Sequence, residues 1–223
     1  MSDMKKSFFA RYLDPGSILE EMLFGLIMVL TFTLGAGLTV TGGPGAVRTL
    51  LVAAIGCNIA WGIIDGAMYV MSNLLDRGRR NRMLLSLQSV GNEAAAMTAI
   101  GRELDARLAG ITTEEERTVL YRGIYAIASR TQPNRPRITR EDIMGAVASG
   151  SLVTFTALPA AVPFIFMDNP FLAVRLFNLI LIGMLFFCGF FWAQFTGVNR
   201  WYAGFVMMLV GLGLVGIAML LGG

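Results

Sequence analysis

Long apolar stretches dominate the chain and follow one another at short intervals. Five of them reach about 20 residues or more, the length that an α-helix needs to cross a hydrocarbon core of about 30 Å. They cover residues 18–40, 49–74, 143–167, 171–196 and 201–221. The pattern predicts an all-α integral membrane protein with five transmembrane helices and one polar, helical insert between helices two and three.

The composition supports a membrane location and excludes some kinds of active site. The 223 residues are 55% hydrophobic and 15% charged, whereas a soluble domain of this size carries about 25% charged residues. The chain contains no histidine, so catalysis by a histidine base and zinc sites with histidine ligands are excluded. Because the sequence offers no nucleophile with a matching base and no complete set of metal ligands, we expect no enzyme activity.

Basic residues indicate the orientation, because Lys and Arg near the ends of spans stay in the cytoplasm. With the N-terminus inside, 16 of the 18 basic residues are cytoplasmic, and only Arg48 and Arg175 lie outside. We therefore predict a protein of a bacterial inner membrane with a cytoplasmic N-terminus and an outer C-terminus. The expected regions are a cytoplasmic segment at 1–17, helices one and two at 18–75, a cytoplasmic domain at 76–142 and helices three to five at 143–223.

The insert has the apolar spacing of paired helices. From Met83 to Leu108, apolar residues alternate at intervals of four and three, which is the heptad spacing of one helix that packs a seam against a partner. The seam includes Leu87 and Leu104 and predicts a homodimer through the insert as well as the transmembrane helices.

Two capping boxes are expected, one in the middle of the insert, where a helix starts at Thr112 or Thr113, and one at its end. Thr113 and Glu116 have the required spacing and predict a second helix that runs to about residue 129. Thr139 and Asp142 predict a third helix start that leads into span three.

The charged residues of the insert allow two interpretations. Glu93 and Glu103, with Met97 between them, can gather a divalent cation, because carboxylates are oxygen ligands for such ions. Alternatively, these acids only solvate the outside of the helices. The basic residues of the insert are all arginine, which suits contact with anionic lipid headgroups and gives no indication of nucleic-acid binding.

Ionisable residues within spans are functional candidates, since each costs about 2.5 to 3.5 kcal/mol on insertion scales. Asp65 lies in the cytoplasmic third of span two, and Glu20 and Glu21 begin span one from the same side. These three carboxylates are predicted to converge near the inner surface as a proton relay or a cation entry site. Two alternatives stay open, namely that the glutamates face headgroups and that Asp65 pairs with a basic residue of the insert.

Small and helix-breaking residues accompany these acids. Asn58, near the middle of span two, can be a ligand or a hydrogen bond between helices. Gly62 and Gly66 form a small face that lets another helix approach closely. Pro159 and Pro163 predict a broken third span that is buried in protein or lines a cavity.

The plan of two spans, a helical insert and three further spans resembles the vacuolar iron transporter family. The likeness lies in the acidic opening of span one at 18–26, the Ala-Gly-Leu at 36–38, the end of span four at 189–197 and the glycine-rich last span. It implies a dimer that exchanges a divalent metal such as Fe²⁺ or Mn²⁺ for protons.

The resemblance also implies a transport path. The family's Asp in span one falls on Met28, its Glu in span two falls on Asn58 and its Met falls on Gly66, so the three family residue types are replaced here. Met28 and Asn58 are then expected to line the path, with Asp65 as a carboxylate beside the lost Met position. The resulting hypothesis is a proton-coupled metal transporter. The alternative is a non-transporting membrane scaffold whose insert binds a partner or anionic lipid.

Overall fold

A computed structural model describes residues 7–39 and 44–221, and every regular element in these two ranges is helical. In chain order the elements are α1 Phe8–Tyr12, α2 Pro15–Thr39, α3 Pro44–Ser89, α4 Glu93–Leu108, α5 Glu114–Arg130, α6 Arg140–Phe155, a 3-10 turn Leu158–Ala161, α7 Pro163–Phe166, α8 Pro170–Thr196 and α9 Arg200–Leu220. The described residues form two compact units. We call residues up to Val70 and from Thr139 onward the bundle, and Met71–Ile138 the insert unit.

Five helical stretches are long and apolar enough to cross a membrane, as the sequence predicts. They are Pro15–Gly35, Gly45–Ser89, Arg140–Phe166, Pro170–Thr196 and Arg200–Leu220. The second differs from its predicted length, because α3 continues for 46 residues, about 69 Å, and contributes to both units. The insert unit accordingly begins within α3 at Met71 instead of at residue 76. The sequence Gly42-Gly43-Pro44-Gly45 predicts a tight turn between the first two spans, and this turn lies partly outside the described residues.

The bundle is built around α2, which packs against α6, α8 and α9. Helices α8 and α9 form a tight hairpin, because Gly197 ends α8 with a φ of 71° and the Asn199 side chain caps α9. The apolar core consists mainly of large aliphatic side chains on α2 and α8, including Leu26, Leu30, Leu181 and Leu185.

The third span is broken where the prolines predict it. Helix α6 ends at Phe155, Pro159 lies in the 3-10 turn, and Pro163 begins the single turn α7. Proline has no backbone N–H and is therefore accepted in the first turn of a helix but not in its interior. The last carbonyl groups of α6 consequently need partners from outside the helix.

The insert unit corrects the prediction of one long helix from Met83 to Leu108. The helix stops at Ser89, and α4 begins at Glu93 with the Asn92 side chain as its cap. Leu87 is only 2% exposed, because the seam packs inside the unit against α4 and α5. Heptad spacing therefore reflects an intramolecular core here and is not by itself a surface for a second copy.

Both predicted capping boxes are present. The Thr113 N–H donates to the Glu116 carboxylate at 2.8 Å, and the Thr139 N–H donates to the Asp142 carboxylate at 2.7 Å. Hydrogen bonds from Thr113 lower the pKa of Glu116 below its ordinary value. Helix α5 therefore begins where the sequence predicts it, and it ends at Arg130, one residue later than expected.

Candidate functional site

A serine on α6 joins carboxyl groups from two other helices. Ser149 is fully buried, and its Oγ lies 3.0 Å from Glu21 Oε1 on α2. The same oxygen forms a hydrogen bond with Asp65 Oδ2 on α3. Because the three residues are far apart in the sequence, the Glu21–Ser149–Asp65 cluster exists only once three helices of the bundle have packed together.

Glycines bring α3 and α6 close enough for this contact. A Cβ atom on Gly62 would lie 2.5 Å from the Gly150 carbonyl oxygen, and one on Gly66 would lie 2.8 Å from the Ala146 carbonyl oxygen. Any side chain larger than hydrogen would push the two backbones apart. The predicted close approach at Gly62 and Gly66 is therefore confirmed, and α6 is the helix that approaches.

Counting hydrogen-bond donors indicates how many protons are needed for both contacts of Ser149 to be hydrogen bonds. A serine hydroxyl has one proton to donate, and an ionised carboxylate can only accept. Ser149 therefore donates to one carboxyl group, and its other contact is a hydrogen bond only when that second group is protonated and donates to Oγ. Both contacts of Ser149 are hydrogen bonds at the same time only when one of the two carboxyl groups is protonated. Two carboxyl groups that share one proton are typical of acid–base sites.

Asn58 forms a second polar contact, seven residues before Asp65 on α3. Its side chain is 2% exposed, and its amide nitrogen donates to the Val153 carbonyl oxygen at 3.0 Å. That carbonyl lies in the last turn of α6, where carbonyl groups have no N–H partner within the helix. Asn58 Oδ1 has no hydrogen-bond partner among the described residues and lines a cavity of about 20 Å³ together with Thr154. A cavity above about 10–15 Å³ can hold one water molecule when polar groups face it.

A neutral hydrogen bond joins α2 to α8 elsewhere in the bundle. The Thr33 hydroxyl donates to Asn178 Oδ1 at 2.6 Å, and both side chains are buried. Asn178 therefore connects two helices, which is the ordinary role of an amide within a span.

The remaining candidates in the bundle lie outside the cluster. Glu20 is exposed and takes no part in the hydrogen bonds of the cluster. Three carboxylates were expected to converge, but the structure brings together only Glu21 and Asp65, with Ser149 between them. Met28 is half-buried on α2. Asp142 is buried, and its carboxylate accepts the Thr139 N–H in the capping box that begins α6.

The candidates in the insert unit have other partners. Glu93 forms an ion pair with Arg122 at 3.0 Å, Met97 packs against the core of the unit, and Glu103 is exposed on α4. Across residues 7–39 and 44–221, no three His, Cys, Asp or Glu side chains are grouped so that they can hold a metal ion. Metal binding therefore stays a prediction for the four expected ligands, which are Asp65, Glu93, Met97 and Glu103.

Ser149 is the site residue that the sequence interpretation missed. A signal for it exists in the spacing, because Asp142, Gly145, Ser149, Val153 and Thr156 recur at intervals of three or four. The structure buries all five residues. Small and polar residues at that spacing mark the face of a helix that meets other helices.

The chain matches no known family model, no curated protein and no solved structure. The resemblance to the vacuolar iron transporters therefore stays a prediction.

Proposed function

We propose that the chain is an integral membrane protein that exchanges protons for a small cation across the bilayer. Five helices of sufficient length and apolarity support the membrane location. The observation that carries the transport proposal is the Glu21–Ser149–Asp65 cluster, which joins three helices of the bundle. Both of its hydrogen bonds form when one of the two carboxyl groups is protonated. Carboxyl groups must handle the protons, because the chain has no histidine.

The serine provides a direct route between the two carboxyl groups. When Glu21 is protonated, its O–H donates to Ser149 Oγ while the Ser149 hydroxyl donates to the Asp65 carboxylate. Transfer of both protons in the same direction leaves Glu21 ionised, regenerates the serine hydroxyl and protonates Asp65. One proton thereby passes from Glu21 on α2 to Asp65 on α3, and the number of protons in the cluster does not change.

Charge balance explains how a cation can compete with the proton. With one proton the cluster carries a net charge of −1, and after its release the two carboxylates carry −2, which a divalent cation can neutralise. Carboxylate and hydroxyl oxygens are suitable ligands for such an ion, which would retain water for its other positions. The preference for iron or manganese rests on the family resemblance alone.

The break after α6 supplies an element that can move. Transporter sites are commonly formed by discontinuous helices, whose interrupted backbone lies near the substrate. Ser149 lies two turns before the end of α6 at Phe155. A change in the tilt of α6 would alter the distances from Ser149 to both carboxyl groups and so expose the cluster to one side or the other.

Reconstituted vesicles test this proposal. The protein is placed in liposomes with a pH-sensitive dye inside, and Mn²⁺, Fe²⁺ or Co²⁺ is added outside. We expect metal uptake with proton release in the parent chain and loss of both in Asp65→Asn and Glu21→Gln. Asp168→Asn removes an exposed carboxylate just before α8 and serves as the matched control. Absence of metal and proton movement in the parent with every cation would refute transport.

A non-transporting membrane scaffold is the second candidate function. The observation that favours it is an exposed apolar face on α5, which offers the insert unit a surface for a partner. Under this alternative the parent chain would move no cation, while a partner would still bind the insert.

A further inference from the structure

Helix α5 has apolar residues on two opposite faces. One face contributes Tyr121, Ile124 and Ala128 to the core of the insert unit. The other exposes Val119 by 69% and Ile127 by 58% of their surface. A soluble amphipathic helix normally keeps its second face polar, so exposed apolar residues on that face indicate a second partner.

The residues on the exposed face of α5 have almost the same order from either end of the helix. Its residues are Glu116, Val119, Gly123, Ile127 and Arg130, at successive intervals of three, four, four and three. These intervals keep all five residues on one side of the helix. Reversing the helix about Gly123 places Gly on Gly, Val119 on the position of Ile127, and the acid Glu116 on the position of the base Arg130.

We propose that a second copy of this chain docks on this face, with the two α5 helices antiparallel about a two-fold axis at Gly123. In such an isologous contact each residue of the patch meets its own reverse image. Glu116 of each copy then pairs with Arg130 of the partner subunit, and the apolar residues pack between these pairs. Gly123 has no atom within 4 Å of an added Cβ, so two backbones can approach closely at the axis.

The charges on this face favour a second copy over a lipid surface. The patch carries one acid at one end and one base at the other, both exposed, so its net charge is zero. Attraction to anionic headgroups requires an excess of basic residues instead. The patch is complementary in charge to its own reverse image, in which each Glu116 faces an Arg130. This inference holds whether or not the chain transports a cation.

Cross-linking tests the two-fold axis directly. Gly123→Cys is made in the full chain with Cys57→Ala and Cys188→Ala, and the membranes are oxidised with copper phenanthroline. We expect a disulfide-linked dimer on a non-reducing gel. Thr118→Cys is exposed on another side of α5 and is the matched control, which should stay monomeric. No dimer from Gly123→Cys, or equal cross-linking at both positions, would overturn the proposal.

A mass measurement provides an independent readout. The parent chain in detergent should have the mass of a dimer by light scattering, and Val119→Glu should shift it to that of a monomer. Because Val119 is exposed, its replacement should leave the helical circular dichroism unchanged. A parent that has the mass of a monomer in detergent, or a Val119→Glu variant that keeps the parent's dimer mass, would refute the proposal.

Discussion

Replacing Gly62 with alanine tests whether the packing of α3 on α6 holds the candidate site together. The new Cβ atom would lie 2.5 Å from the Gly150 carbonyl oxygen. Carbon and carbonyl oxygen atoms in helix contacts lie about 3.3 Å apart, so the two helices must separate by about 0.8 Å. Gly62 lies three residues before Asp65, and Gly150 directly follows Ser149, so the separation acts on the hydrogen bond between Asp65 and Ser149.

The expected loss of stability is small, and the expected loss of function is large. Overpacking costs about 1–3 kcal/mol, while alanine gains about 1 kcal/mol over glycine within a helix. The net cost of Gly62→Ala is then about 1 kcal/mol, or about 2–4 °C in the thermal unfolding midpoint for a chain of this size. In vesicles, coupled proton release should fall much further, because the hydrogen bond between Asp65 and Ser149 is stretched.

Gly213→Ala in α9 is the matched control, since no atom lies within 4 Å of its added Cβ. It should unfold at the parent temperature or above and keep the parent's proton release. If Gly62→Ala behaves like Gly213→Ala in both assays, the glycine contact does not hold the cluster and the reasoning is wrong.

Three further substitutions examine single features of the bundle and the insert unit. Ser149→Ala should abolish metal-coupled proton release in vesicles although both carboxyl groups remain; normal release would exclude the serine as the relay. Asn58→Leu should lower thermal stability by about 0.6–1.7 kcal/mol, the range for hydrogen bonds between spans, and an unchanged midpoint would refute that contribution. Because the pKa of Glu116 is lowered from 4.5 by hydrogen bonds from Thr113, its stabilisation of α5 is present above pH 4.5 and is lost as the pH falls through the folded value. Relative to the intrinsic exchange rate, the protection of the α5 amides should therefore fall in acid for the parent, and Glu116→Gln should remove this dependence; the same loss of protection in both proteins would contradict it.

The parts of the fold that local chemistry determines could be predicted from the sequence. Apolar length alone places the five long helices, and the prolines place the break after α6. The capping boxes at Thr113 and Thr139 lie where their spacing predicts them, because each involves residues three apart and no tertiary partner.

Features that depend on the choice of a tertiary partner could not be predicted in the same way. The heptad seam through Leu87 is equally compatible with a partner helix from another copy and with α4 and α5 of the same chain. The structure realises the second possibility, with a break and a cap at Asn92. Asp65 and Glu21 were recognisable as isolated acids in spans, but Ser149 gains significance only when packing places it between them.

The bundle itself offers a reason to regard the carboxyl groups as more than a connection between helices. Thr33 and Asn178 join α2 to α8 through a buried hydrogen bond between neutral side chains. Such a pair avoids the insertion cost of about 2.5 to 3.5 kcal/mol that each ionisable residue adds. A static scaffold would gain the same connection from Gln and Asn at positions 21 and 65 without needing a proton to complete it. Carboxyl groups at both positions provide what amides cannot, which is a proton that can leave and a negative charge that a cation can then neutralise.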